Sequence, residues 1–369
     1  MKQPDSPEAP QKEQSKPDRT MILKKKWSFP VGEYITAIEW LSDGSAVAIA
    51  PGTGGILVVD STDGRVRARL RGHEPGNCAL AAGSGLLATS GQDGLACLWN
   101  PETHELITEL QAAESGREWC ENAKFSPNGE LLATSAGRTL RIWNRIGECV
   151  FENSSHCATI AALTWRPDGA GVATGSYQGV QLFRCKNRVW ESSPYEKLIW
   201  KGSIISLQWS PNGRYVAGGS QENTVQFWRL PHSPGQELFM SGYARKVREL
   251  AWDESSRFLA TSGGDLVTVW DVSGKGPAGT MPKELEGHGA HVTQLVFQHR
   301  GGLLASGGDD GRVFLWNLAQ KQSWQIEPAQ SAPITVLRWS PNDTLLSVGS
   351  ADGEVSVWDV KERTRVEAC

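Results

Sequence analysis

Apolar residues in this chain fall in short runs broken by Gly, Asn, Asp and Pro, with no long amphipathic helical stripe. The run Leu86–Asn100, "LLATSGQDGLACLWN", returns far downstream at Leu303–Asn317 as "LLASGGDDGRVFLWN", with nine of fifteen positions identical. Each run reads as a small-residue strand, a tight Gly/Asp turn and an apolar strand ending in Trp. A pattern this short in period predicts strands and hairpins throughout.

The Trp-ending strand recurs with Val59, Trp99, Trp143, Phe183, Trp228, Trp270, Trp316 and Trp358 at its last apolar position, at spacings of 40, 44, 40, 45, 42, 46 and 42 residues. A second mark precedes most of these: a strand closing on an aromatic, then turn residues, as in "AKFSPNG" at Phe125, "LTWRPDG" at Trp165 and "LQWSPNG" at Trp209. Trp40 and Trp339 close similar strands, whereas Gly83 holds the aromatic's place in the second repeat. Pro fixes φ, and Asn and Gly accept the left-handed region, so these are turn signals with a mechanism. A fourth, more variable strand completes each period. One four-stranded sheet would leave two apolar faces wet; stacking neighbours covers them, and closing the stack into a ring removes its raw ends.

With that period and a Gly-His…Trp-Asn/Asp signature, residues from about 31 onward resemble the WD40 family. The resemblance implies an all-β, closed β-propeller. Eight marks predict eight blades, with seven blades plus extra strands as the alternative. It also implies a structural hydrogen-bonded chain in the two fullest repeats, His73, Thr89, Asp93 and Trp99 in one, His288, Ser306, Asp310 and Trp316 in the other. Such His, Ser/Thr and Asp residues are read as structural and not as a hydrolase triad. The other repeats depart from the pattern and are expected to rely on apolar packing. Met21–Phe29 is expected to close the ring as the outer strand of the last blade, with a strand from "RTRVEAC" at the C-terminal end as the alternative.

Composition narrows the function classes. The net charge of −4 gives no global attraction to nucleic acid or anionic lipid, and no apolar run is long enough to span a bilayer. Residues 1–20 are Pro-, Lys- and Glu-rich, have no apolar stretch of a secretory signal, and are expected to be a disordered tail before a single domain at 21–369. Seven cysteines without CxxC pairs favour a reduced, cytoplasmic setting. Lys24, Lys25 and Lys26 read as edge-strand protection in preference to a nucleic-acid patch. The Gly-rich "PGTGG" at 51–55 reads as a turn. No phosphate loop, HExxH or nucleophile elbow is present, so no catalytic residue and no cofactor is expected.

Family contact positions lie six and four residues before the aromatic of each innermost strand. Carried over, they give an outer set that includes Tyr34, Asn77, Trp119, Lys246 and His291, and an inner set that includes Glu121 and Arg248. Gln92, Gln221 and Asp309 precede the tight-turn acid. Exposed aromatics and Arg anchor interfaces, so this rim is the expected site for a protein or peptide partner, bound by a monomer within a larger complex. Trp119 is the leading anchor; its alternative is to cover a gap between blades. Cys78 and Cys120 occupy a slot that is Val or Ile in the other repeats. They read either as small buried hydrophobes or as ligands of a metal-handling accessory protein.

Overall fold

The computed structural model describes residues 19–274 and 277–364; of the tail expected at 1–20, residues 1–18 lie outside them, whereas Arg19 and Thr20 are paired in a strand, which corrects the expected boundary. The described chain is all strand and turn, with no helix. Six four-stranded antiparallel sheets and one seven-stranded sheet account for its strands.

The first sheet shows the plan. Ile35–Trp40, Ala46–Pro51, Ile56–Asp60 and Val66–Leu70 pair in chain order. The two middle strands are almost wholly buried, whereas the outer strand alternates. This is the expected consequence of packing both faces of one sheet against neighbours. Ala46, Ala48, Ile56 and Val58 meet Leu80, Leu87, Cys97 and Trp99 of the next sheet. Gly83 keeps that plan where the aromatic is missing: a Cβ there would lie 2.7 Å from the ring of Phe125, which belongs to the following sheet.

The turn after the aromatic has the chemistry its residues suggest. In "SPNG" the Ser210 hydroxyl donates to Asn212 Oδ1 (2.8 Å), which also accepts from the Arg214 N–H (3.0 Å), and Gly213 takes φ +68.

The seven-stranded sheet covers two periods. Gly171–Lys186 pairs with Ala162–Trp165 through residues 172–175 and with Glu196–Trp209 through residues 177–182. The Ala170 carbonyl accepts from the Cys185 N–H at 2.8 Å, folding that run back on itself. Glu196–Trp209 then pairs through residues 204–209 with Tyr215–Ser220, so one unbroken strand carries the chain between periods.

Arg19–Pro30 pairs antiparallel with Glu354–Thr364, from Arg19 opposite Thr364 to Pro30 opposite Glu354. It is the edge strand of the last sheet, longer than the Met21–Phe29 segment read from sequence. Of the "RTRVEAC" alternative, residues 365–369 lie outside the described residues. Trp27, Val355 and Val357 of this last sheet pack on Ile35, Val47 and Leu57 of the first. Trp40 Nε1 donates to the carbonyl of Arg338 at 3.2 Å. The first strands of successive periods also lie against each other in series, from Ile35–Trp40 to Ile334–Trp339, and those two contact each other.

Candidate partner-binding site

The two full hydrogen-bonded chains have the same geometry. Trp99 Nε1 donates to Thr89 Oγ1 (3.1 Å), the Thr89 hydroxyl contacts His73 Nε2 (2.9 Å), and His73 Nδ1 faces Asp93 Oδ2 (2.9 Å). The hydroxyl has one proton. Having accepted from the indole, it donates to Nε2, which leaves Nδ1–H to donate to the carboxylate. In the other repeat Trp316 Nε1 donates to Ser306 Oγ (2.8 Å), Ser306 meets His288 Nε2 (2.8 Å), and His288 Nδ1 meets Asp310 Oδ1 (3.1 Å). Each hydroxyl is fully buried and committed at both ends, so none is free to act as a nucleophile.

The expectation that other repeats rely on apolar packing alone is corrected by three of them. Thr134 accepts from Trp143 Nε1 (2.9 Å). Thr174 bonds His156 Nε2 (2.8 Å). Tyr243 replaces the histidine: its hydroxyl bonds Thr261 Oγ1 (2.7 Å) and accepts from Trp270 Nε1 (2.9 Å). In the fifth period Gly218 stands where the hydroxyl would be, and the buried Trp228 Nε1 has no partner among the described residues.

Six of the nine candidate contact residues line one cavity of about 870 Å³: Tyr34, Gln221, Lys246, Arg248, His291 and Asp309. They come from chain positions more than 270 residues apart: Tyr34, Lys246, Arg248 and His291 lie just before first strands, and Gln221 and Asp309 just after second strands, at the same end of their sheets. Tyr34 is 52% exposed. Val247 is buried between Lys246 and Arg248, which are both exposed, in the segment that leads into the strand Glu249–Trp252. His291 Nδ1 lies 3.1 Å from the Gly264 carbonyl, to which it donates, and Nε2 has no hydrogen-bond partner among the described residues.

Trp119, Glu121 and Gln92 do not line this cavity. Trp119 is 50% exposed at the start of Cys120–Phe125. Partial burial raises the Glu121 carboxyl above its ordinary range. Gln92 lies against Gly76, whose carbonyl accepts from the Gln92 N–H. Asn77, carried over as a contact position, is a buried tie: it accepts from the His73 N–H (2.9 Å) and donates to the Pro51 carbonyl (2.8 Å).

Cys120 is fully buried and Cys78 half-buried. Burial drives the Cys120 thiol far up and, with the charges of Glu121 and Asp93, pushes Cys78 up to about 12. A metal takes thiolate, so these surroundings oppose ligation. Among the described residues no group of three or more His, Cys, Asp or Glu is placed to hold a metal ion.

Sequence reasoning missed a second cavity, of about 390 Å³, that shares Arg248, Glu249 and Gln294 with the first and continues to Lys124 and Arg338. Glu39 joins the same group, 3.9 Å from Arg338. Burial raises Glu39 and pushes Glu249 up to about 7, against the opposing charge of Arg338. Lys124 keeps an exposed surface, but the protein crowded around it strips away water and, aided by the charge of Arg338, lowers it to about 8. A signal was present: Glu39, Lys124 and Arg338 each directly precede the aromatic of a first strand, on the face opposite that buried ring.

The WD domain, G-beta repeat of the WD40 family matches residues 108–144, 196–229, 279–317 and 321–359. The chain is similar to the transcriptional corepressor LEUNIG_HOMOLOG of Arabidopsis thaliana, 23% identical over 72% of this chain and 32% of that protein. It is similar to cell division cycle 20.1, cofactor of APC complex, of the same plant, at 31% over 77% of this chain and 54% of that protein. A third relative is the protein transport protein sec13 of Aspergillus fumigatus, 27% identical over 61% of this chain and 84% of that protein. The chain thus spans a third of the first relative's length and just over half of the second's. Among solved structures, the computationally designed Ika8 protein shares the fold, with a TM-score of 0.76 and 21% identity over 91% of this chain and 99% of that one. By its recurring strand period, its hydrogen-bonded His–Ser/Thr–Trp chains and the four matched repeats, the chain belongs to the WD40-repeat family.

Proposed function

We propose that the chain is a non-catalytic WD40 scaffold or adaptor, closed as an eight-bladed propeller, that holds a protein or peptide partner at the rim cavity. The carrying observation is the cavity of about 870 Å³ that gathers Tyr34, Gln221, Lys246, Arg248, His291 and Asp309. Eight first strands in serial contact, with the last against the first, support the closed ring. On this reading the seven-stranded sheet is two blades joined by the unbroken strand Glu196–Trp209, and Arg19–Pro30 is the ring-closing strand. The relatives' names, a corepressor, a cofactor of a complex and a transport protein, support a role in assemblies. Short segments held at both ends by strands lose little freedom on binding, which is how a rigid ring serves recognition.

The test is affinity purification with mass spectrometry on wild type, on a Tyr34→Ala/Arg248→Ala double variant, and on Met281→Ala as a control at a 90% exposed site away from the cavity. The double variant is expected to melt like wild type and lose a defined set of partners that the control keeps. Recovery of the same partners by all three would overturn the rim assignment. Trp119→Ala in the same experiment asks whether the interface extends to that neighbouring sector.

A further inference from the structure

The mouth cavity has a charge character that the net charge of −4 conceals. Arg245, Lys246 and Arg248 line it together, all exposed. None of the three makes a salt bridge or a side-chain hydrogen bond among the described residues, whereas several other arginines are engaged: Arg67 with Asp60, Arg141 with Glu152, Arg184 with Glu191, Arg257 with Asp271. Three adjacent cations repel one another; the charge of Glu249 acts on Arg248, but no carboxylate forms an ion pair with any of the three among the described residues. Their backbone is pinned: the Arg245 N–H donates to the Gly263 carbonyl (2.7 Å) and the Val247 N–H to the Ser220 carbonyl (3.2 Å). The cations are therefore presented from a fixed segment.

Two carboxylates share the cavity, Asp309 and Glu249. Glu249 lies where the mouth passes into the second cavity, and there Lys124 and Arg338 are matched by Glu249 and by Glu39, so the excess of positive charge is at the mouth. Tyr34 supplies an exposed aromatic wall, and His291 offers Nε2 as a further polar contact. Concave shape and few cations argue against a nucleic-acid backbone, which is tracked by a longer basic stripe.

We propose that the mouth cavity takes an aspartate- or glutamate-rich segment of a partner protein, its carboxylates seated against Arg245, Lys246 and Arg248 beside the Tyr34 ring. This rests on the rim reading above and names the chemistry of its partner. Complementary charge of this kind gives specificity and a salt-sensitive association.

The experiment is fluorescence anisotropy with fluorescein-labelled poly-glutamate, run beside labelled poly-lysine and a labelled thymidine oligonucleotide. Saturable binding of poly-glutamate alone is expected, weakening as salt rises. Lys246→Glu/Arg248→Glu is expected to lower its affinity about tenfold or more, with Arg245→Glu as an independent second variant and melting curves confirming that both fold. No poly-glutamate binding, equal binding by the folded variants, or equal binding of the oligonucleotide overturns the proposal. If it fails while the Tyr34→Ala/Arg248→Ala variant still loses partners, the rim site stands and only its acidic chemistry falls.

Discussion

The repeat around His288 and the repeat around His156 begin alike and end differently. Both place a histidine Nε2 at 2.8 Å from a buried hydroxyl, Ser306 in one and Thr174 in the other. The first continues to Trp316 on one side and Asp310 on the other. The second has Phe183, with no N–H, in place of the Trp, and His156 Nδ1 has no hydrogen-bond partner among the described residues. Thr174 to Phe183 spans nine residues, whereas Ser306 to Trp316 spans ten, so the turn that would carry the acid is one residue short. The hydrogen-bonded chain is therefore one solution to a local problem, how to satisfy buried polar groups beside the ring. A repeat without it removes donors or replaces them, as Tyr243 does.

The largest effect expected from breaking this comparison is at the shared hydroxyl. Ser306→Ala strands both His288 Nε2 and Trp316 Nε1 in a fully buried site, at a cost of about 2–4 kcal/mol. Thr174→Ala strands His156 Nε2 and otherwise loses a long bond to the Gln181 carbonyl (3.4 Å), and is expected to cost about 1–2 kcal/mol. Urea unfolding midpoints order the two; equal losses would mean that the indole N–H adds nothing to the chain.

Next comes acid sensitivity. Burial lowers His156 from the ordinary 6.5 to about 4, opposed by the nearby Arg138 backbone and aided by the charge of Lys197. A histidine depressed in the folded state binds its proton preferentially when unfolded. Its contribution is complete above pH 6.5 and is lost as pH falls from about 6.5 towards 4, at a slope approaching about 1.4 kcal/mol per pH unit. Burial lowers His288 as well, but its hydrogen bond to Asp310 opposes the shift. His156→Phe is therefore expected to flatten the stability profile between pH 6.5 and 4.5 more than His288→Phe does. Chemical denaturation at a series of pH values decides it, and identical slopes in wild type and His156→Phe would refute the assignment.

The strand period was legible because the Trp-ending strand must be buried in every repeat, and burial restricts residue type. The cavity was half legible. Family offsets located Lys246, Arg248 and His291, but Arg245 has no such offset, and the inner charges Glu39, Lys124 and Arg338 look like the ordinary polar face of a strand. Only the assembly of several first strands turns those faces towards one another. Tyr243 was missed through residue type: it stands 18 residues before Thr261, the separation that also joins His288 to Ser306 and His156 to Thr174. The offset carried the information, and the change from imidazole to phenol hid it.

The smallest expected effect is a repair. One Asp inserted between Gln178 and Gly179 changes "SYQGV" to "SYQDGV", matching "SGQDGL" at 90–95, in which Asp93 faces His73. In the template turn the positive φ falls on Gly94 (77), the place Gly179 would take after the insertion, so the longer hairpin is expected to form without strain. A carboxylate near Nδ1 should raise the His156 pKa by about one unit or more and stabilise the fold by about 1 kcal/mol or less. Phe183 would still lack the indole donor, so the chain would be completed on its acid side alone. Titration of the His156 imidazole by NMR reads the result directly. An unshifted pKa in a variant that folds like wild type would show that the missing residue is not what separates the two repeats.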